Sequence, residues 1–198
     1  MSFNKIETIS KSNNYKFINI NSTLSTMIDA RKYLEKNNSN CIILANEQTE
    51  GKGRRGNHWY SPKGNIYSSI TFNTFLKKNE FFLFNIIIAL SIKLALKEFK
   101  ARNVYFKWPN DIFDKNKKFC GIIAETYQTK QAKNFIISGI GINMISSPSI
   151  KEHKTTYVNS FCKIINLTDF MELFLEILFL NLNYLLLRKK KYLINQFS

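Results

Sequence analysis

The chain has 198 residues, of which 44% are hydrophobic and 14% aromatic, so a disordered chain is excluded and one packed domain over residues 1–198 is expected. Its 29 basic and 14 acidic residues give a net charge of +15. That charge favours anionic partners such as nucleotides or nucleic acid, but solvated lysine faces are common. Basic residues therefore count as functional only where they cluster in a motif.

Strand-like and helix-like hydrophobic patterns follow each other along the chain. Residues 15–20 alternate as a strand does, and Ser22 or Thr23 is the predicted N-cap of a helix over about 24–35. The later predicted elements are strands at 41–45, 66–75, 104–108 and 133–143, a helix at 80–99, a hairpin over 110–125 and a helix at about 168–190. Helices that flank a mixed, mostly antiparallel sheet indicate an α+β domain.

The three cysteines, Cys41, Cys120 and Cys162, lie far apart in apolar runs. There is no CxxC pair and there are only two histidines, so neither a disulfide framework nor a structural zinc is expected. Buried, reduced thiols are the ordinary interpretation and indicate a cytoplasmic protein. The first 17 residues are polar, unlike a signal peptide.

Residues 170–187, followed by RKKK, imitate a membrane helix with a positive flank. However, Glu172, Glu176 and Asn183 fall at helical spacing and mark one polar face. The pattern therefore predicts a packed amphipathic helix and no membrane contact.

The first chemically informative cluster is Gly51–Gly56 (GKGRRG), inside a polar loop over 47–65. Its glycines allow close backbone approach to an anion, and its three cations would attract a nucleotide or an acid substrate. It matches neither a Walker A loop nor a dinucleotide-binding GxGxxG. Taken alone, the cluster is better interpreted as a flexible basic surface loop.

The second cluster is Lys107–Asp111 (KWPND), at the end of an apolar strand. A lysine held there in a partly dry pocket would neutralise a carboxylate or phosphate strongly. Asn110 and Asp111 would position a nucleotide or its magnesium ion. The alternative is a simple strand end followed by a Pro-Asn-Asp turn.

Together with two further motifs, these clusters resemble those of the biotin–protein ligases. The four motifs occur in the family's order and spacing, as GKGRRGNHWYSPKGN (51–65), KWPNDI (107–112), KKFCGIIAE (117–125) and GIGIN (139–143). The resemblance covers residues 15–190 and implies a class II synthetase-like catalytic domain. The implied activity is formation of biotinyl-5'-AMP from biotin and Mg-ATP, followed by transfer of biotin to a lysine of a carrier protein such as that of acetyl-CoA carboxylase.

The resemblance also implies the residues of the site. The biotin-binding residues would be Ser22, Thr23, Gln48, Lys52, Gly53, Arg54 and Lys107, and the ATP-binding residues Arg54, Arg55, Trp59, Asn110, Lys118 and Asn143. Lys107 and Arg54 would be catalytic, because with Mg²⁺ they would cancel the repulsion between carboxylate and triphosphate. No metal site is expected from protein ligands alone, although the ion that arrives with ATP would lie near Asp111. The chain departs from the family pattern at Lys52, where Arg is usual, and at Leu24, where Asn is frequent.

Flanking domains differ among these ligases. Only 21 residues precede Ser22, too few for a winged helix, so a monofunctional ligase without specific DNA binding is expected. The small C-terminal β-barrel domain of many ligases is not expected either. Because the family contains monomers and dimers, a homodimer stays open.

Two other functions compete with this interpretation. A lipoate or octanoate ligase would share the fold, but its substrate has no ureido group for Ser22, Thr23 and Gln48 to bind. A nucleic-acid-binding protein would explain the charge and would use aromatics such as Phe106, Trp108 and Tyr60. It would leave the four ordered motifs unexplained.

Overall fold

The computed structural model describes residues 2–73, 82–150 and 154–186. Within them the strands are β1 (Lys16–Thr23), β2 (Cys41–Gln48), β3 (Ile66–Asn73), β4 (Val104–Lys107), β5 (Asp111–Asp114), β6 (Lys117–Gln128) and β7 (Asn134–Ile142). The helices are α1 (Asn4–Ser12), α2 (Thr26–Asn37), α3 (Phe82–Glu98) and α4 (Leu167–Leu186).

The described strands form one sheet in the order β1-β2-β3-β7-β6-β5-β4. β1 and β2 pair in parallel, and the other neighbours pair antiparallel. The predicted α+β class with a mixed, mostly antiparallel sheet is therefore confirmed. The predicted strand residues 74–75 and helix residues 80–81 and 187–190 lie outside the described residues.

The two faces of the sheet are covered unequally. The larger core packs α1, α3 and α4 against one face. On the other face, α2 presents Met27, Ala30 and Leu34 to Ile43 and Phe135. These three residues follow the i, i+3, i+7 spacing of one helical face. Because α2 packs on β2, β3 and β7, the same face of β5 and β6 stays open for a site.

The start of α2 differs from the prediction. Its N-cap is Ser25, with an extended backbone at φ −163°, rather than Ser22 or Thr23. Ser22 and Thr23 belong to β1, since they pair with Glu47 and Gln48 of β2. Backbone pairing with β2 therefore extends β1 beyond residues 15–20, where the alternating pattern ends.

Helix α1 was not predicted, because its segment is polar and buries only Ile6 and Ser10. The helix forms against α4, where the Lys5 ammonium lies 3.2 Å from Glu172 and 3.4 Å from Glu176. The polar face expected on α4 is thus present. No helix among the described residues is long and apolar enough to cross a membrane.

The cysteines are free thiols, as expected. Cys41 and Cys120 are buried and Cys162 is half-buried. Burial raises the pKa of Cys41 to about 12 and that of Cys162 to about 11. All three thiols are therefore protonated at neutral pH, since burial also raises the pKa of Cys120, and are poor nucleophiles.

The packing of α4 can be tested by truncating side chains on its two faces. Phe174 is 1% exposed, so Phe174→Ala should lower the free energy of unfolding by about 3–5 kcal/mol through a cavity. Leu180 is 60% exposed, and Leu180→Ala should change it by less than about 0.5 kcal/mol. Urea unfolding measures both, and equal losses would contradict the amphipathic packing.

Candidate active site

An open cleft of about 450 Å³ lies on the α2 face of the sheet and brings all four motifs together. It is lined by Ser25, Thr26, Met27, Gln48, Lys52, Gly53, Arg54, Trp59, Asn110, Lys118, Gly121, Ile123, Gly139, Ile140 and Gly141. The strands supply the floor, the N-terminus of α2 one wall, and the 51–64 loop the cover. Segments distant in sequence therefore meet because the sheet order places their ends side by side.

The cleft crosses the sheet and differs chemically between its sides. Neutral hydrogen-bonding groups of Ser25, Thr26 and Gln48 stand beside β2, whereas Asn110 and Lys118 stand beside β5 and β6. β3 and β7 lie between them, so the two sides are about 14 Å apart at the usual spacing of neighbouring strands. An elongated substrate can therefore meet neutral groups at one end and cations at the other.

The Trp59 indole lies directly on the backbone of a glycine pair. Gly121 and Gly141 face each other across β6 and β7. A Cβ atom on Gly141 would come within 2.4 Å of the Trp59 ring, and one on Gly121 within 2.9 Å. Both positions require glycine, because any side chain would displace the ring. The Nε1 atom of Trp59 is buried and has no hydrogen-bond partner among the described residues.

Polar contacts join the loop to the KWPND turn and to β6. Arg54 Nη1 donates to Asn110 Oδ1 at 2.9 Å, and Asn110 Nδ2 donates to Asp111 Oδ1 at 2.9 Å. Lys118 Nζ lies 2.8 Å from the same Asp111 oxygen and 5.3 Å from the centre of the Trp59 ring. Arg54 and Lys118 are thus positioned by one connected network.

The residues present do not fit a resident metal ion. The described residues contain no group of three or more His, Cys, Asp or Glu side chains that could hold one. Asp111 Oδ1 is already shared by Lys118 and Asn110. The protein's own contribution to the chemistry of the site therefore comes from its cations and hydrogen-bonding groups.

A second cavity of about 300 Å³ adjoins the cleft and shares Trp59 and Lys118 with it. Its other lining residues are His58, Tyr60, Asn143, Pro148, Ile150 and Thr155. Asn143 Nδ2 donates to the Thr156 carbonyl at 3.2 Å, but its buried Oδ1 has no partner among the described residues. A buried acceptor in that state favours a ligand that donates to it.

The structure brings most of the sequence-predicted site residues together. Gln48, Lys52, Gly53, Arg54, Trp59, Asn110 and Lys118 line the cleft, and Asn143 lines the adjoining cavity. Ser22 and Thr23 do not line either: Ser22 is exposed, and Thr23 Oγ1 donates to Asp29 at 2.6 Å. The second Ser-Thr pair of the chain, Ser25 and Thr26, lines the cleft instead, and the biotin-binding role of Ser22 and Thr23 stays a prediction.

Two predicted cations also lie outside the cleft lining. Lys107 is exposed, with its ammonium 5.2 Å from the centre of the Phe113 ring, so the expected partly dry pocket is wrong for this conformation. Strand register still puts Lys107 on the same face as Asp111 and Gly121, with which it forms one cross-strand row. Arg55 is exposed at the loop tip, at φ +56°.

Sequence reasoning missed several lining residues, chiefly Ser25, Thr26, Met27 and Ile123. The sequence did contain a signal for Ser25 and Thr26. The apolar stripe of α2 begins at Met27, so extending it backward places the helix start at Thr26 and the cap at Ser25. Ile123 had no comparable signal, since only the strand register turns it toward the cleft.

Several known proteins are similar to this chain in sequence. The profile described as "Biotin/lipoate A/B protein ligase family" matches residues 16–143. The bifunctional ligase/repressor BirA of Escherichia coli is 35% identical over 127 residues, covering 63% of this chain and 38% of that protein. The biotin–[acetyl-CoA-carboxylase] ligase of Paracoccus denitrificans is 29% identical over 128 residues, covering 64% of this chain and 53% of that protein. The chain thus spans less than two thirds of either relative.

Solved structures agree with the sequence relatives. The biotin protein ligase of Leishmania major in complex with biotin has a TM-score of 0.72 at 27% identity, covering 84% of this chain and 73% of that one. The Aquifex aeolicus biotin protein ligase in complex with biotin and ATP has a TM-score of 0.69 at 26% identity, covering 85% and 70%. Because the profile spans more than half of the sequence and all four motifs meet in one cleft, this chain belongs to the biotin/lipoate A/B protein ligase family.

Proposed function

We propose that this protein is an ATP-dependent biotin–protein ligase. A carboxylate oxygen of biotin attacks the α-phosphorus of ATP, forming biotinyl-5'-AMP and releasing pyrophosphate. A lysine ε-amine of a carrier protein then attacks the acyl carbon, forming an amide and releasing AMP. The observation that carries the proposal is one cleft with neutral hydrogen-bonding groups on one side, Arg54 and Lys118 beside Asn110 and Asp111 on the other, and Lys52 also in the lining.

The cations address the main barrier of the first step, which is repulsion between two anions. Lys52, Arg54 and Lys118 would offset the charge of the carboxylate and the phosphates in a partly desolvated cleft, where such interactions are stronger than in water. Arg54 can bind two oxygens at once, while the lysines act as point charges. Fixed donors of this kind stabilise the charge that develops on the leaving pyrophosphate.

The neutral side of the cleft favours biotin over a fatty acid. Ser25, Thr26 and Gln48 offer hydroxyl and amide groups suited to a ureido ring. Met27 and Ile123 provide an apolar surface for an acyl chain. An octanoyl or lipoyl tail has no polar group that could bond to Ser25, Thr26 or Gln48, so it gains less from this side of the cleft than a ureido ring does.

The adjoining cavity is our proposed adenine site. Asn143 Oδ1 would accept a hydrogen bond from the adenine amino group, and Trp59 would form the wall shared with the acid site. A buried acceptor without a partner costs about 1–3 kcal/mol, which such a bond would offset. Arg54, Arg55 and Asn110 would contact the phosphates, although Arg55 would have to turn inward.

Lys107 is proposed to join the cleft when substrates bind. Its side chain is exposed and lies on the same sheet face as Asp111 and Gly121. A rotamer change would move its ammonium from Phe113 toward the carboxylate and α-phosphate. The negative charge of the substrates supplies the driving force.

The acyl acceptor is proposed to be the biotin carrier domain of an acetyl-CoA carboxylase. The name of the Paracoccus relative supports this carrier, and the three free thiols support a reducing cytoplasm as the site of the reaction. Neither specific DNA binding nor membrane contact is part of the proposal.

Substrate choice is the first test of the function. The purified protein is incubated with Mg-ATP and biotin, or with Mg-ATP and octanoate or lipoate, and the products are identified by mass spectrometry. We expect biotinyl-AMP and no fatty-acyl adenylate, because only biotin satisfies the neutral side of the cleft. An adenylate formed only from octanoate or lipoate would move the protein to the lipoate branch of its family.

Lys107→Ala should lower the rate of adenylate formation by roughly 100-fold, the scale for losing one preorganised charge donor. The exposed position of Lys107 means that the fold should survive the change, which circular dichroism checks. Lys36→Ala, at an exposed lysine of the last turn of α2, is the matched control. Equal rates in the two variants would remove Lys107 from the mechanism.

Substrates should protect the 51–64 loop from trypsin. Lys52, Arg54 and Arg55 are exposed cleavage sites in the unliganded protein, and phosphates bound to these cations would restrict them. Lys130, exposed in the turn between β6 and β7, serves as the internal control. Biotin plus ATP should slow cleavage at the loop and leave cleavage at Lys130 unchanged; equal slowing at both sites would indicate only a general effect on the protease.

A further inference from the structure

A chain of side-chain hydrogen bonds runs under the neutral side of the cleft. Gln48 Oε1 accepts from the Thr26 backbone N–H at 2.9 Å and from Thr26 Oγ1 at 3.1 Å. Gln48 Nε2 donates to Ser61 Oγ at 3.0 Å, and Ser61 Oγ donates to the Trp59 carbonyl at 2.9 Å. The first turn of α2 is thereby connected to the residue that lies on the glycine pair.

Each link of the chain has a fixed direction. The Thr26 backbone N–H can only donate, so the oxygen of the Gln48 amide must face it and the nitrogen must face Ser61. The Ser61 hydroxyl proton then goes to the Trp59 carbonyl, which can only accept. Thr26 Oγ1 also lies 2.8 Å from Ser69 Oγ on β3, which anchors the other end of the chain in the sheet. No link can reverse while its neighbours keep their partners.

The backbone around this chain is unusually close. A Cβ atom on Gly51 would lie 2.3 Å from the Trp59 carbonyl oxygen and 2.6 Å from Ser61 Oγ. Only glycine at position 51 therefore permits the Ser61–Trp59 link. Backbone bonds from Trp59 N to Gly51 O at 2.8 Å and from Gln48 N to Ser61 O at 3.3 Å close the base of the loop at the same point.

We propose that Ser61 is a positioning residue, which couples occupancy of the acid site to the position of Trp59 and the 51–64 loop. Ser61 is 5% exposed and does not line the cleft, so it acts through Gln48, which does. An acid that bonds to Gln48 or Thr26 immobilises the amide of Gln48. That amide in turn holds Ser61, and Ser61 holds the Trp59 carbonyl.

The coupling gives the two substrates a defined relation. Trp59 and Lys118 form the boundary between the cleft and the adjoining cavity, so fixing Trp59 shapes the wall of the second site. This part of the inference rests on the proposed function, since it takes biotin as the acid. The connection between Ser61 and the loop does not, because it is present in the unliganded protein.

The ligand-free connection is tested by hydrogen exchange with mass spectrometry. In Ser61→Ala the amides within 51–59 should exchange roughly three- to tenfold faster than in the unaltered protein, the factor expected for losing a hydrogen bond. Ser68→Ala is the matched control. Ser68 is another buried serine, it donates to the Ile43 carbonyl at 2.9 Å, and it takes no part in the hydrogen bonds that join Thr26, Gln48, Ser61 and Trp59. Ser61→Thr keeps the hydroxyl and should restore slow exchange.

Gly51→Ala places a methyl group against Ser61 Oγ and the Trp59 carbonyl oxygen, so it should disrupt the same hydrogen bond and again speed the exchange of the amides within 51–59. With two variants, the test stays decisive when one of them folds poorly. Exchange in the loop that is unchanged in both variants would overturn the proposal.

Biotin distinguishes coupling from simple support of the loop. In the unaltered protein and in Ser68→Ala, saturating biotin should slow exchange within 51–59. In Ser61→Ala, biotin should still bind by calorimetry but leave exchange of the loop unprotected, and Ser61→Thr should recover the protection. Full protection of the loop in Ser61→Ala would refute the coupling. If the unaltered protein binds no biotin, the proposed function fails, while the ligand-free comparison still decides the role of Ser61.

Discussion

The close approach of the Trp59 ring to the backbone of Gly121 and Gly141 is the constraint on which the site depends. Two paired strands normally present side chains on this face, and these would hold a covering loop several ångströms above the sheet. Their absence at Gly121 and Gly141 lets the indole lie on the strands themselves. Lys52 and Arg54, which belong to the same loop, are thereby brought over the cleft, and Lys118, near the start of β6, packs against the ring.

Recognition and chemistry are assigned to different elements of the same sheet. The neutral groups come from the end of β2 and from the N-cap and first turn of α2. Ser25, the N-cap, makes no side-chain cap bond, and the Thr26 N–H donates to Gln48 of β2 instead. The cations come from the loop and the β5–β6 hairpin. Because β3 and β7 separate these elements, the groups that choose the acid are distinct from the Lys118 and Asn110 side chains that face the phosphates.

Much of the fold could be predicted from the pattern of polar and apolar residues. The site depends on strand ends and side-chain conformations, which that pattern does not reveal. β3 was predictable because apolar residues recur along IYSSITFN in the manner of a strand, and β7 because NFIISGIGI is mostly apolar. The motif residues of the cleft were predictable because their spacing is family-like. Ser22 and Thr23 were wrongly predicted as the N-cap, because the sequence offers two Ser-Thr pairs and only pairing with β2 decides where the strand ends. The exposure of Lys107 could not be predicted, because a side-chain rotamer, unlike a strand, leaves no pattern in the sequence.

The position of Asp111 explains how a cleft rich in cations stays assembled without substrate. Lys52, Arg54 and Lys118 carry like charges and would repel one another, which would favour displacement of the loop. Asp111 offsets the charge of Lys118 at 2.8 Å, and Asn110 links that carboxylate to Arg54. One carboxylate does not neutralise three cations, so the cleft keeps a net positive charge. That surplus is the complement of an acid and a triphosphate, and the cations are already oriented when the anions arrive.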